Sequence, residues 1–173
     1  IEQNKGNREL YIMNIDGSNN VKVTNSPKSE SNARWISDSK VMYMRGGEIF
    51  CANVVNGTLE GEQKIDAPAG IEGFELSPST NKIMYVKSVK AAVKPTDLYP
   101  DLDKSSGRTY TNLMYRHWDH FVEEVPHTYV ADFNGSAITD SKDILAGDTA
   151  NPEVEGKPFE LPTLPFGGLE QLS

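Results

Sequence analysis

Cysteine, positive charge and long apolar runs are all scarce in this sequence, and each scarcity excludes a class of protein. Cys51 is the one cysteine among 173 residues, so the chain can form no internal disulfide and no cysteine-based metal cluster. The 17 Lys and Arg residues against 25 Asp and Glu residues give a formal net charge of −8, which argues against nucleic acid and anionic lipid as partners. No window approaches the roughly 18 apolar residues of a membrane-spanning helix, so we expect no membrane span.

What the sequence does contain is a series of short apolar or alternating runs separated by turn residues. Val41–Met44 is followed by a Gly-Gly pair at 46–47, and Glu48–Asn53 is followed by an Asn-Gly pair at 56–57. Both dipeptides favour two-residue hairpin turns. Short strands at such even spacing are typical of an antiparallel architecture, so we predict an all-β fold.

The large apolar side chains of these runs are the candidate core. Trp35, Phe50, Phe74 and Tyr85 lie on or beside predicted strands, where large rings fill the space between packed sheets. Cys51 lies inside an apolar strand and is interpreted as a small buried hydrophobic residue.

A repeat of about 40 residues makes the fold prediction more specific. The segments Trp-Ile-Ser and Glu-Leu-Ser, which end at Ser37 and Ser77, each precede an apolar strand, and their separation is that of four-stranded propeller blades. A third copy begins near Gly168. We therefore predict a partial β-propeller with about two complete four-stranded blades plus flanking strands. Its predicted parts are a blade remnant at 8–26, a blade at 31–66, a blade at 71–147 that is closed by Asp143–Leu145 and carries a partly helical insertion at 88–126, and the start of another blade at 166–173.

Two groups of residues carry a resemblance to a known family. The run Leu10–Ser18, with Arg34–Lys40 after it, resembles the WD40-like propeller repeat of TolB and of prolyl-oligopeptidase-family serine peptidases. Tyr99–Leu102 and Leu113–Asp119 resemble an insertion of the dipeptidyl-peptidase V and acylaminoacyl-peptidase branch of that family. Because these motifs extend over most of the chain, the sequence resembles the amino-terminal propeller of such a peptidase.

The resemblance implies a function in which this chain does not perform the chemical step. The family cleaves peptides with an α/β-hydrolase domain whose nucleophilic serine lies in a Gly-x-Ser-x-Gly elbow, and the 173 residues contain no such pattern. We expect the non-catalytic portion of a periplasmic or secreted serine exopeptidase, which gates the access of peptide substrates to a hydrolase domain missing from this sequence. The alternative is a TolB-like propeller that acts only as a protein–protein binding module. The insertion favours the peptidase branch.

The insertion also holds the candidate substrate-binding residues. In related dipeptidyl peptidases, acidic propeller residues hold the free amino terminus of the substrate. The resemblance therefore implies this role for Glu123 and Glu124, with Arg116 nearby, because a desolvated ammonium group needs a paired charge. The other interpretation, which the sequence itself favours, is an acidic pair in solvent on a loop.

His117, Trp118 and Asp119 are interpreted as a structural cluster in which the tryptophan packs the insertion against a blade. With His120 and His127 nearby, the cluster raises the question of zinc, but the His-Glu-x-x-His spacing of metalloprotease helices is missing. We therefore expect neither a metal site nor a cofactor.

Two further expectations concern the insertion and the ends of the sequence. The i, i+3, i+7 spacing of Leu113, Arg116 and His120 predicts a short helix in the insertion. Predicted strands Leu10–Ile15 and Leu169–Ser173 belong to blades that the sequence does not complete, so their unpaired backbone groups predict self-association.

Overall fold

The structure is a computed structural model that describes residues 6–90, 93–109, 116–117 and 120–146. This part of the chain is nearly all β, which confirms the predicted all-β class. The strands are β1 (Tyr11–Ile12), β2 (Val21–Lys22), β3 (Glu30–Ser37), β4 (Lys40–Arg45), β5 (Glu48–Val55), β6 (Thr58–Lys64), β7 (Ile71–Leu76), β8 (Lys82–Lys90), β9 (Arg116–His117), β10 (His120–Phe121), β11 (Glu124–Phe133) and β12 (Ile138–Asp143), and the helix is α1 (Pro95–Leu98).

Four sheets organise these strands. One four-stranded sheet has the order β3-β4-β5-β6 and lies within the range predicted for a blade at 31–66, apart from the first residue of β3. A second four-stranded sheet has the order β12-β11-β8-β7 and lies within the range 71–147. Strands β1 and β2 form a two-stranded sheet, as do β9 and β10. That these sheets are propeller blades stays a prediction, and the predicted strand at 166–173 lies outside the described residues.

The described residues divide into two compact units. One holds 6–85 with 130–142, and the other holds 86–90, 93–109, 116–117 and 120–129 with 143–146. The first unit holds most of the buried apolar side chains. In β4, four consecutive residues from Val41 to Met44 are buried, so this strand is covered on both faces. Tyr43 stacks on Phe50 with ring centroids 6.2 Å apart. Leu10 packs against the buried cluster of Val41, Tyr43 and Ala52.

The hairpin turns of the first unit form where their sequence predicts them. Gly46 and Gly47 have φ angles of 58° and 82°, and Asn56 and Gly57 have φ angles of 49° and 77°. Two consecutive left-handed residues give the turn whose twist matches that of the flanking strands, and glycine and asparagine adopt this conformation at least cost. These turns join β4 to β5 and β5 to β6.

The core predictions hold for most of the side chains but not for Trp35. Phe74, Tyr85 and Cys51 are buried and Phe50 is half-buried. Trp35 is 54% exposed, so placing it in the core was wrong. It lies on β3, an edge strand of its sheet on which exposed and half-buried side chains alternate, and its side chain is on the exposed side.

Two predictions about the second sheet and the insertion are corrected. The closing strand is Ile138–Asp143 and not Asp143–Leu145, because the Asn134 side chain accepts hydrogen bonds from the backbone of Ser136 and Ala137 and completes the turn early. The helix predicted from Leu113, Arg116 and His120 does not form at the described residues of that stretch. β9 and β10 are instead an antiparallel pair in which His117 lies opposite His120. The insertion near 90–126 was predicted to be partly helical. Among its described residues, the helix is limited to the four residues of α1.

Candidate functional site

The 93–109 loop, defined as residues 93 to 109, is the local structure on which the candidate site depends. Its ends are joined by an antiparallel bridge, in which the Val93 N–H donates to the Thr109 carbonyl at 3.4 Å and the Thr109 N–H donates to the Val93 carbonyl at 3.0 Å. Helix α1 begins at Pro95, where the missing N–H of proline costs nothing. Asp97 accepts the Lys94 N–H at 2.7 Å and pairs with Lys90. Local hydrogen bonding therefore fixes both the ends of the loop and its helix.

Glu123 connects the two ends of this loop. One of its carboxylate oxygens lies 2.7 Å from the Lys94 Nζ, and the other accepts a hydrogen bond from the Arg108 Nε at 2.8 Å and a second one from the same guanidinium group. The Arg108 guanidinium carbon lies 4.7 Å from the centroid of the Phe121 ring. Hydrogen bonds from Lys94 and then from Arg108 lower the pKa of Glu123, so its carboxylate is ionised at neutral pH.

Glu124 has a different environment from its neighbour. It is the first residue of β11 and is exposed, whereas Glu123 is half-buried. Within the described residues, the Glu124 carboxylate has no hydrogen bond or ion pair. The two carboxylates that the sequence suggests as a pair are therefore chemically distinct, since one is already neutralised by cations and the other is open to solvent.

The other residues singled out in the sequence lie mostly beyond the described part of the site. Arg116 and His117 form β9, and their side chains are outside the described residues, as are Trp118 and Asp119 altogether. The substrate-binding role of Arg116 and the structural role of His117, Trp118 and Asp119 stay predictions.

His127 and Asp143 form a buried pair that the sequence did not single out as a pair. The His127 Nδ1 and the Asp143 Oδ2 are 2.6 Å apart, and only 5% of the His127 side chain is exposed. Burial is the largest single influence on the pKa of the Asp143 carboxyl and raises it. Hydrogen bonds from His127 and from the Leu145 N–H together outweigh burial, so the pKa is lowered overall. The His127 Nε2 is buried and has no hydrogen-bond partner among the described residues.

The sequence pattern also does not indicate the ion-pair and hydrogen-bond partners of Glu123 and His127. Lys94 and Arg108 are separated from Glu123 by much of the insertion, and the bridge between Val93 and Thr109 places Lys94 opposite Arg108. The one signal in the sequence is the Lys-Pro pair at 94–95, which marks a helix start, and it says nothing about an ion pair.

Chemically, this arrangement can bind a cation through Glu124. In the described residues, no group of three or more His, Cys, Asp or Glu side chains is placed to hold a metal ion. None of the helices in this part of the chain has the length and hydropathy needed to cross a bilayer.

Comparison with known proteins gives the class first: the matched proteins are all named as dipeptidyl peptidases. Over its whole length the chain is 36% identical to a segment of Dipeptidyl-peptidase 5 of Porphyromonas gingivalis, which amounts to 24% of that protein. Over 95% of its length it is 35% identical to Dipeptidyl-peptidase 5 of Porphyromonas endodontalis, of which it covers 23%. A more distant similarity, 31% identity over 78% of the chain, links it to 16% of Dipeptidyl-peptidase 5 of the fungus Arthroderma otae.

The chain thus spans less than a quarter of the length of the curated relatives it matches. Neither a protein-family model nor a solved structure matches it. The similarity is the one expected of a non-catalytic portion of a dipeptidyl peptidase.

Proposed function

We propose that the chain is the non-catalytic propeller portion of a dipeptidyl peptidase of the prolyl-oligopeptidase family. The observation that carries the proposal is the similarity of its whole length to a segment of Dipeptidyl-peptidase 5 of Porphyromonas gingivalis. Two four-stranded antiparallel sheets support the propeller, because each blade of a propeller is one such sheet. The lack of a Gly-x-Ser-x-Gly pattern supports a role outside the chemical step.

In this proposal, a Ser-His-Asp triad on an α/β-hydrolase domain outside this sequence cleaves the peptide, in the periplasm or outside the cell. The chain forms a wall of the substrate path and limits access to short peptides. Excluding water from the active site strengthens the electrostatic interactions of the triad with the peptide. A chain that only encloses the site, without reactive groups of its own, therefore still contributes to the reaction.

The acidic residues at the start of β11 contribute to substrate binding in the same proposal. A dipeptidyl peptidase must recognise the free amino terminus of its substrate, which is a cation at neutral pH. The open carboxylate of Glu124 supports this role, because a charge-assisted hydrogen bond to an ammonium group needs a carboxylate that is not already occupied.

Glu124→Gln in the full-length peptidase tests the proposed substrate role. We expect kcat/KM for a dipeptidyl substrate with a free amine to fall roughly tenfold, because the variant loses a charge-assisted contact, and we expect no change for the same substrate with a blocked amine. Glu72→Gln, at an exposed glutamate on β7, is the matched control. A loss of equal size on both substrates, or none on either, would contradict the role of Glu124.

A further inference from the structure

The bridge between Val93 and Thr109 forms the neck of the 93–109 loop and places two cations on opposite sides of that loop. Val93 pairs with Thr109, so Lys94 and Arg108 are the next residues inward on the two sides of the loop. Like charges that face each other across an antiparallel pair repel and destabilise it. The neck therefore needs an anion between these two side chains.

Glu123 supplies that anion, and it does so with both carboxylate oxygens. Lys94 binds one oxygen and Arg108 binds the other, while Phe121, two residues before Glu123, lies under the Arg108 guanidinium group. Two hydrogen bonds from the guanidinium group to one Glu123 oxygen, together with the ring below it, restrict the orientation of Arg108. A carboxylate with two cationic partners has little capacity left for a third.

We infer that Glu123 is a positioning residue, which holds the 93–109 loop closed against the start of β11 and leaves Glu124 as the carboxylate of the pair that is free to meet a ligand. The part that concerns Glu124 rests on the proposed function, whereas the part that concerns the loop does not. Leu98, Tyr99 and Leu102 of this loop are exposed, so the contacts of Glu123 decide where three large apolar side chains are presented.

Hydrogen–deuterium exchange of the full-length protein tests the positioning role directly. Glu123→Gln should speed exchange in peptides from residues 93–109 by roughly tenfold, because the neck then holds two uncompensated cations. Glu124→Gln, the matched control one residue away, should leave this exchange unchanged. If the exchange rate of these peptides in Glu123→Gln stays within twofold of the wild-type rate, the inference is overturned.

A charge swap separates a positioning role from a ligand role. In Glu123→Arg with Arg108→Glu, the new Glu at 108 can pair with both Lys94 and the Arg at 123, so the swap should restore slow exchange that the single Glu123→Arg variant loses. It should also restore KM for the free-amine dipeptidyl substrate to within about threefold of the wild type. If Glu123 binds the ammonium group itself, the swap will restore exchange but not KM, and the inference fails.

These measurements distinguish failure of the inference from failure of the proposed function. If Glu124→Gln has no effect on kcat/KM but Glu123→Gln opens the loop and the swap closes it, the loop inference stands and the substrate role is wrong. If the swap leaves the loop open, the positioning role is wrong whatever the kinetics of Glu124→Gln show.

Discussion

Glu30 is a carboxylate whose side chain is fully buried at the start of β3, and such a charge needs partners. The Arg45 Nε donates to one of its oxygens at 2.7 Å, and the Thr24 hydroxyl lies 3.1 Å from the other. Arg45 also donates to both oxygens of Glu62, at 2.8 Å and 2.9 Å, and its guanidinium carbon lies 5.4 Å from the centroid of the Tyr43 ring. One arginine thus pairs with a buried carboxylate and with an exposed one.

Arg45→Met should lower the free energy of unfolding by about 3 kcal/mol or more, since it leaves the Glu30 charge buried without its cation. Urea denaturation at neutral pH measures the change. Lys64→Met is the control, because Lys64 and its partner Glu48 are both largely exposed and such pairs contribute little. Small and equal effects of the two variants would mean that Arg45 is as dispensable as a surface lysine, contrary to the expectation.

At the scale of elements, a polar side-chain contact joins β11 to the end of β12. His127 lies on β11 and Asp143 is the last residue of β12, and the Ile144 N–H donates to the Thr128 carbonyl at 3.0 Å beside them. Asp143 is ionised and can only accept, so the His127 Nδ1 carries the hydrogen of the bond. The contact is therefore strongest while the Asp143 carboxyl is deprotonated, because an ionised acceptor makes the stronger hydrogen bond.

Asp143→Asn should be most destabilising at neutral pH and progressively less so in acid. The pKa of Asp143 is lowered in the folded chain, so its contribution to stability is complete above the unfolded value of about 4 and is lost as the pH falls through the folded pKa. Urea denaturation of both proteins at pH 7 and at pH 3 measures the narrowing difference. Asp101→Asn, at an exposed loop residue, is the control for a general loss of charge. A difference that stays constant between the two pH values would rule out this role for Asp143.

Elements that are determined by neighbouring residues in the sequence could be predicted, and elements that depend on distant residues could not. The turns at Gly46–Gly47 and Asn56–Gly57 follow from the backbone freedom of two adjacent residues, and both were found where expected. The helix predicted from Leu113, Arg116 and His120 rested on three spacings alone, and these are equally compatible with the pairing of His117 and His120. Trp35 was assigned to the core by its size, but burial depends on which strand is at the edge of the sheet, and a local pattern does not carry that information.

The candidate site was predictable in composition but not in chemistry. The sequence identified Glu123 and Glu124 as neighbours, and nothing in it distinguishes them. Their difference comes from Lys94 and Arg108, which contact Glu123 and which a backbone bridge between Val93 and Thr109 places opposite each other. Ion pairs of this kind depend on tertiary structure, so no spacing rule within a strand or helix reveals them.

At the scale of the whole molecule, the buried core and the candidate site lie mostly in different units of the described residues. The first unit contains the buried Glu30–Arg45 pair and most of the apolar core, and the second contains Glu123, Glu124 and the His127–Asp143 pair. In our proposal, the first mainly maintains the fold and the second meets the peptide. Arg45→Met is thus expected to act on stability, and Glu124→Gln on substrate selection.

The last prediction concerns contact between copies of the chain. Four large apolar side chains of the segment 11–21 are exposed, namely Tyr11, Met13, Ile15 and Val21. Among the described residues, β1 and β2 pair only with each other. Exposed apolar groups beside unpaired strand edges favour association. The net charge of −8 opposes it, but screening over roughly 8–10 Å at physiological salt limits the repulsion. We therefore expect reversible self-association of the purified chain.

Light scattering across a tenfold range of concentration measures this association. The average mass should rise with concentration, and it should rise further with salt, because screening weakens the repulsion between acidic copies while apolar contacts persist. Tyr11→Ser with Ile15→Ser should reduce the rise, since these side chains provide apolar contact area. Leu98→Ser with Tyr99→Ser removes comparable exposed side chains from the 93–109 loop and should leave the rise unchanged. A single monomeric mass at every concentration and salt would show that the exposed segment and strand edges do not suffice to hold two copies together.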